Sequence, residues 1–262
     1  MRYLPFLLIF FLICTLLYAS EDKYKCELDL FQPPIGVSGP DNFETNRKFK
    51  ISWFYASGNE NVNNLDISSS MNLRYNSFFF NITEAFKYYK IDDNIGINNN
   101  TFNLNIMYKS NFGLIFRFDF FRDIDRLSTY QINNYWAPGI AYFTEFKDFK
   151  FLFWGILTFN SDRLVGEVEE TTEIGGKIGI DYCRHFPGDT ECYINGRFYY
   201  YDRKLGGGEN DNYKIYSETS FNICLTDWFI FVNTLEIKYV KNPAEEFEGR
   251  TTTFSTGLEI RF

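Results

Sequence analysis

Apolar and polar residues alternate along most of the chain after about residue 47. The C-terminal segment is the clearest case, because one of its faces is formed by Phe254, Thr256, Leu258, Ile260 and Phe262. Alternation with a period of two is the pattern of a β-strand that has one apolar and one polar face. The pattern therefore predicts strands, not helices, through this part of the chain.

About twelve such segments follow one another. They span 47–56, 66–75, 78–90, 100–109, 112–122, 135–147, 149–160, 171–186, 189–203, 213–225, 228–240 and 251–262. Short turns are predicted at Asn76-Ser77, Ser110-Asn111, Lys147-Asp148, Pro187-Gly188 and Thr226-Asp227. They alternate with polar connections at 57–64, 91–99, 122–134, 161–171, 203–212 and 241–250. Short turns at one end and long loops at the other are typical of an antiparallel transmembrane β-barrel.

A barrel in lipid needs this alternation, because closure pairs every backbone group while alternate side chains face hydrocarbon. The content of 31 Phe and 19 Tyr fits an aromatic outer surface. We predict an all-β fold, a single-chain antiparallel transmembrane β-barrel of about 12 strands, with both termini at the periplasmic end. A secreted soluble β-sandwich is the alternative architecture.

The first 19 residues have the features of a signal peptide. Arg2 precedes an apolar run that ends in small residues at Ala19-Ser20, and the run is short for a membrane span of about 20 residues. The predicted organisation is a cleaved signal peptide at 1–19, a periplasmic lead-in segment at 20–46 and the barrel at 47–262. The predicted location is the outer membrane of a diderm bacterium.

Two details of the pattern invite separate interpretation. Glu84 falls on the predicted lipid face of segment 78–90, and a bulge or a boundary error would explain it. The tryptophans fall near predicted strand ends or outward faces, where interfacial girdles are expected, with sugar stacking as the alternative. They are Trp53, Trp136, Trp154 and Trp228.

The predicted outer loops and the predicted lumen differ in their charged residues. The net charge of −8 comes largely from acidic residues in the predicted outer loops, and a basic face for nucleic acid is absent from the sequence. Inward strand positions instead mix both signs, which predicts a charge network in the lumen. Its predicted members are Arg117, Asp119, Glu145, Lys177, Asp181, Arg197, Glu218, Glu236, Lys238, Glu259 and Arg261.

Four cysteines follow the predicted signal peptide, and an even count in an oxidising compartment favours disulfides over metal ligands. Cys183 and Cys192 flank the turn at Pro187-Gly188, so a hairpin centred there pairs them. A change of one residue in the turn would place them on opposite faces. Cys26 and Cys224 are predicted to join the lead-in segment to the base of the barrel.

Enzymatic chemistry finds little support in the sequence. His185, the single histidine, would have to serve any Ser-His-acid hydrolase or omptin-like protease, yet it lies at a predicted periplasmic turn. Asp123 and Asp125 are interpreted as loop solubilisers, and Gly206-Gly207-Gly208 lacks the context of a phosphate cradle. We predict no enzyme, no metal and no cofactor; an outer-membrane hydrolase, phospholipase or protease, is the alternative.

Residues 47–262 resemble the salt-induced outer membrane protein family, also called domain of unknown function 481. The resemblance lies in three stretches, which are Ile51 to Asn59, Phe116 to Asp123 leading into Trp136 to Tyr142, and Arg250 to Thr253. It implies an outer-membrane barrel and a connection with salt stress, but it transfers no catalytic residue. Size alone also suggests a likeness to narrow nucleoside-specific channels.

The expected partners are outer-membrane lipid, the barrel-assembly machinery and a small solute, with no nucleic acid. A terminal aromatic that closes an alternating strand resembles the assembly signal of outer-membrane barrels. Its residues here are Phe254, Leu258, Ile260 and Phe262. The predicted function is a non-enzymatic barrel, related to the envelope or to stress or serving as a narrow small-solute channel, whose lumen is closed or conducts in small steps.

Overall fold

The computed structural model describes part of the 262-residue chain, and all structural statements below concern that part. It comprises residue 28 and residues 43–57, 62–91, 94–110, 112–125, 131–164, 170–186, 192–202, 205, 213–226, 228–241 and 249–261. Nearly all of these residues lie in strands. Among them, no helix is long and apolar enough to cross a membrane.

Twelve antiparallel strands form a closed barrel, so the predicted fold class is confirmed and the alternative β-sandwich is wrong. The strands are β1 (Phe43–Ser57), β2 (Val62–Tyr75), β3 (Phe78–Ile91), β4 (Asn94–Lys109), β5 (Leu114–Asp125), β6 (Gln131–Phe146), β7 (Phe149–Leu164), β8 (Glu170–Phe186), β9 (Cys192–Asp202), β10 (Tyr213–Cys224), β11 (Phe229–Val240) and β12 (Arg250–Arg261). Each strand pairs with its neighbours in sequence, and β1 pairs with β12 to close the sheet. Closure removes the unpaired edges that a hydrocarbon environment would penalise.

Short turns lie at one end of the barrel, as predicted. Asn76 and Lys147 open the two-residue turns after β2 and β6, and both have positive φ angles, 53° and 55°. Gly113 has a φ of 80° in the turn between β4 and β5, a conformation that favours glycine.

The strands reach further toward the opposite end than the sequence predicts. The predicted loop 91–99 is the main correction, because β3 continues to Ile91 and β4 begins at Asn94. A polar segment can remain in the sheet beyond an apolar band, since backbone pairing does not require apolar side chains. Polarity alone therefore overestimates loop length here.

The strand register sorts the side chains into two faces. Large apolar side chains such as Phe118, Ile140, Phe153 and Ile178 are exposed on the outside. The buried hydrophobic cluster lies inside the barrel, with Ile115, Leu152 and Ile230 almost without solvent contact.

Glu84 pairs with Ser69 and Phe102 on the outer face, and the register shift in β3 occurs later, between Tyr88 and Tyr89. Neither a bulge at Glu84 nor a boundary error explains its position.

Candidate functional site in the lumen

The strand register places every residue of the predicted charge network on an inward position. Inside the barrel, however, the degree of burial differs. Arg117, Asp119, Lys177, Asp181 and Arg261 are buried, whereas Glu145 is exposed beside the turn after β6. The remaining members are partly buried; they are Arg197, Glu218, Glu236, Lys238 and Glu259.

An ionic cluster crosses the inner wall from β5 to β9. Arg117 donates to both carboxylate oxygens of Asp119, with Nε–Oδ1 and Nη2–Oδ2 distances of 2.8 Å. Arg197 donates to Asp181 from Nε at 2.6 Å and from Nη2 at 3.2 Å. The two pairs approach each other, with 4.0 Å between Arg117 Nη1 and Asp181 Oδ2. Such paired geometry is what buried charges require, because an unpaired charge in this position would be costly.

The inward side chains of β6 make room for this cluster, and β7 packs an aromatic ring against it. Ala137 and Ala141 present only methyl groups to the lumen, and both are buried. Arg117 lies over the Trp154 ring, with Cζ 4.6 Å from the ring centre. Trp154 is therefore inside the barrel, and its predicted place near a strand end or on the outer face is wrong.

Four aromatic rings surround the ammonium group of Lys177. The Nζ atom lies 4.1 Å from the Tyr135 ring centre, 4.5 Å from Tyr201, 5.3 Å from Tyr199 and 5.6 Å from Phe121. Nζ also donates to the Tyr135 hydroxyl at 2.8 Å. An ammonium within about 6 Å of an aromatic face is attracted by the ring quadrupole. This arrangement, here called the Lys177 cage, fills the inner side of β5 to β9.

A second ionic contact lies near the end of the lumen that carries the short turns. Arg261 Nε donates to Glu259 Oε1 at 2.7 Å, and the guanidinium also bonds the Tyr193 hydroxyl. Its Cζ atom lies 5.2 Å from the Tyr193 ring centre. This contact joins β12 to β9 across the inside of the barrel.

The opposite part of the inner wall carries amides, hydroxyls and charges and borders open space. A cavity of about 200 Å³ lies there, and its lining comprises Lys48, Lys50, Ser68, Ser70, Thr83, Tyr193, Asn195, Glu218, Ser220, Asn222, Val232 and Glu259. A cavity of about 260 Å³ shares Thr83, Asn195 and Glu218 with it and also reaches Asn103 and Asp181. The lumen thus has a half that is packed around the Lys177 cage and a polar half with free volume, which extends to Asp181 and Arg197 of the ionic cluster.

Leu28 also lies inside the barrel, although it belongs to the segment predicted to be a periplasmic lead-in. Its side chain is buried and borders both the larger cavity and a neighbouring cavity of about 30 Å³. The residues that line these spaces with it include Asn81, Asn105, Asp181 and Arg197. The alternation of Cys26, Leu28 and Leu30 with acidic residues is too short to predict a strand or a buried face, so this position was not predicted. Leu28 thus lies within the lumen, while residues 29–42 of the segment lie outside the described part of the chain.

The predicted disulfide between Cys183 and Cys192 does not form. Cys183 is a buried, free cysteine opposite Asn195, whereas Cys192 lies opposite Phe186. The two cysteines are therefore three register positions apart and have opposite parity. The connection between β8 and β9 is longer than the tight turn that the prediction assumed. The other predicted bridge involves Cys26, which lies outside the described residues.

The single histidine and the described residues of the predicted assembly signal lie in β8 and β12. His185 lies in β8, one residue before its end, with its ring centre 5.8 Å from that of Tyr193. Phe254, Leu258 and Ile260 of the predicted assembly signal lie on the outward face of β12, and Phe262 is not described. Among the described residues, no group of three or more His, Cys, Asp or Glu side chains is placed to hold a metal ion.

The twelve-stranded closed barrel, with its apolar exterior and its polar and ionic lumen, has the architecture of outer-membrane β-barrels, and points to that membrane. Residues 49–262 match the family described as "Protein of unknown function, DUF481", and the chain belongs to this family. No curated protein matches the chain.

Solved structures share the fold at low sequence identity. The NanC porin is similar with a TM-score of 0.51 and 8% identity, over 81% of this chain and 98% of that chain. The KdgM porin is similar with a TM-score of 0.44 and 14% identity, over 81% and 99% of the two chains. An anion-selective porin from Comamonas acidovorans has a TM-score of 0.42 and 9% identity, over 85% and 100%. At 8% identity the likeness to the NanC porin shows the barrel fold alone.

Proposed function

We propose that this protein is a non-enzymatic outer-membrane barrel whose narrow lumen passes small polar solutes slowly. The observation that supports the proposal is the division of the lumen. Its β5–β9 side carries the ionic cluster and the Lys177 cage, and free volume lies along the polar side and reaches Asp181 and Arg197 of that cluster. About twelve strands enclose more space than the roughly eight whose side chains just fill a barrel, and less than the sixteen or more of a general porin.

The position of His185 supports a non-enzymatic role. The site of a surface hydrolase would lie at the outer rim, whereas His185 lies near the end of β8 that carries the short turns. The family resemblance adds a role in salt or osmotic stress to the proposal. We expect no lipase or protease activity in the purified protein. Such activity, abolished by replacement of His185, would contradict this assignment.

Planar-bilayer recording of the reconstituted protein tests the proposal. We expect small conductance steps, well below those of a general porin. At low salt, cations should be favoured, because acidic residues of the outer connections concentrate them at the mouth and salt screens that field over about 10 Å at 0.1 M. Large, ohmic and unselective conductance would contradict the proposal.

A further inference from the structure

We propose that the polar half of the lumen binds small uncharged polyhydroxyl solutes of monosaccharide size. The site is the cavity of about 200 Å³ between the inward faces of β1–β3 and β9–β12. The inference rests on the proposed function, because the solute must enter the barrel, and it names the substrate class of that same lumen.

Hydroxyl and amide side chains dominate the uncharged part of the lining. They are Ser68, Ser70, Thr83, Asn195, Ser220 and Asn222. A serine hydroxyl offers one donor and two acceptor positions, and a side-chain amide offers two of each. Groups that both donate and accept are the complement of a solute whose hydroxyls also do both.

Contacts within the wall hold these groups in place. Asn222 Nδ2 donates to Asn195 Oδ1 at 2.6 Å, and the Ser220 and Thr234 hydroxyl oxygens are 2.8 Å apart. Asn222 Nδ2 also contacts the Tyr193 and Ser220 carbonyl oxygens at 3.4 and 3.3 Å, so its donors are used. The oxygen of each amide or hydroxyl has two acceptor positions, so a solute can exchange bonds to water for bonds to these oxygens.

The charges around the cavity favour an uncharged solute. Lys48 and Lys50 on β1 are balanced by Glu218 and Glu259, so the four formal charges sum to zero. Glu218 accepts a bond from the Tyr216 hydroxyl at 2.5 Å, and Glu259 accepts one from Arg261 at 2.7 Å. An ion that enters loses hydration without gaining a net opposite charge, whereas a neutral polyol keeps its hydrogen bonding.

The composition of the lining also suits a sugar ring. Tyr193 and Val232 provide apolar surface beside the polar groups, which suits the C–H faces of a sugar ring. The larger cavity shares Thr83, Asn195 and Glu218, so a bound solute has further polar wall ahead of it. The two cavities adjoin at these three residues.

The test compares solute entry into liposomes that contain the full mature protein, with D-glucose and glycine as probes. A pore that selects by size alone admits glycine faster, because glycine is smaller. We expect D-glucose to enter faster despite its size. We also expect Thr83→Val to lower D-glucose entry about fivefold, the factor that corresponds to one ordinary hydrogen bond.

Thr253→Val is the matched control, because Thr253 faces the lumen on β12 but does not line either cavity. It should leave D-glucose entry within about twofold of the wild type. Both variants must show the shift in gel mobility on heating that marks a folded barrel. Ion conductance with faster glycine entry, or equal D-glucose entry in Thr83→Val and wild type, would overturn the inference while leaving the proposed function intact. Absence of both conductance and solute entry would overturn both.

Discussion

Lys177 donates a hydrogen bond from Nζ to the Tyr135 hydroxyl oxygen, 2.8 Å away, across the inner face of the strand that separates them. Lys177 belongs to β8 and Tyr135 to β6, while Tyr201 of β9 and Phe121 of β5 complete the cage. One lysine therefore joins the inward faces of four strands, β5, β6, β8 and β9. The ammonium group of Lys177 occupies an aromatic site, and another cation could fill that site if the lysine were removed.

Replacement of Lys177 by alanine should open this site. We expect tetramethylammonium to block the ion current of the Lys177→Ala variant at a concentration about tenfold lower than in the wild type, because the four rings then face an external cation. Lys238→Ala, which removes an inward lysine of β11, is the matched control. Equal block in the two variants would contradict the assignment of the cage as a cation site.

The buried pair of Arg117 and Asp119 should be important for stability. Asp119→Ala leaves the Arg117 guanidinium buried with Asp181 4.0 Å away. We expect a loss of about 3 kcal/mol, the lower end of the range for breaking a buried pair. The measurement is urea unfolding of the reconstituted barrel, followed by tryptophan fluorescence.

An exposed ion pair provides the control for that experiment. Arg184 Nη2 lies 3.6 Å from Asp148 Oδ2, and the side chains are 37% and 66% exposed. Asp148→Ala should cost less than about 1 kcal/mol, because water screens the pair. Similar losses for Asp119→Ala and Asp148→Ala would show that the interior cluster contributes no more than a surface contact.

Gly179 should tolerate no side chain, because Trp154 covers it. A Cβ atom there would lie 2.5 Å from Trp154 Cζ2 and 2.7 Å from the Phe198 carbonyl oxygen. Gly179→Ala should therefore displace the indole from beneath Arg117, change its fluorescence and destabilise the barrel by about 1–3 kcal/mol. Gly155→Ala is the control, since its Cβ would have its nearest neighbour at 3.8 Å. Unchanged fluorescence in Gly179→Ala would contradict the packing.

Non-reducing peptide mapping should recover Cys183 as a free thiol. Its position opposite Asn195, away from Cys192, follows from the strand register. Cys183→Ala should lower stability by no more than about 1–2 kcal/mol, since it removes one buried sulfur and no covalent link. A Cys183–Cys192 peptide in the map would show that the register of β8 and β9 differs from the one described.

The strand pattern predicts the barrel well, because the alternation of apolar and polar residues indicates both that a segment is a strand and which face each side chain is on. Arg117, Lys177 and Glu259 all occupy inward positions, which their parity with neighbouring apolar residues already indicates. The rule fails in β7, where Leu152, Trp154 and Ile156 face inward while Phe151 and Phe153 face outward. A strand that is apolar on both faces has no alternation, so the position of Trp154 could not be predicted.

Contacts between distant parts of the chain also could not be predicted from the sequence. The Lys177 cage combines side chains of β5, β6, β8 and β9, and no local motif joins them. The position of Cys183 depends on the length of one connection, and a shift of one residue reverses the face of every side chain. The lumen position of Leu28 depends on packing against strands far along the chain.

The last prediction concerns Leu28 and the free volume of the lumen. Its buried side chain borders the cavity of about 260 Å³ together with Asn105 and Asp181, so it occupies space that a solute or ion would otherwise use. Leu28→Ala removes three carbon atoms from this point, and we expect a larger single-channel conductance, by about twofold at the same salt, without a change in strand pairing. Leu157→Ala is the matched control, because Leu157 is 50% exposed on the outer face, away from the lumen. Planar-bilayer recording of the two variants beside the wild type measures the effect. Equal conductance in all three would show that Leu28 does not limit passage and that the restriction lies elsewhere, in the ionic cluster or in the Lys177 cage.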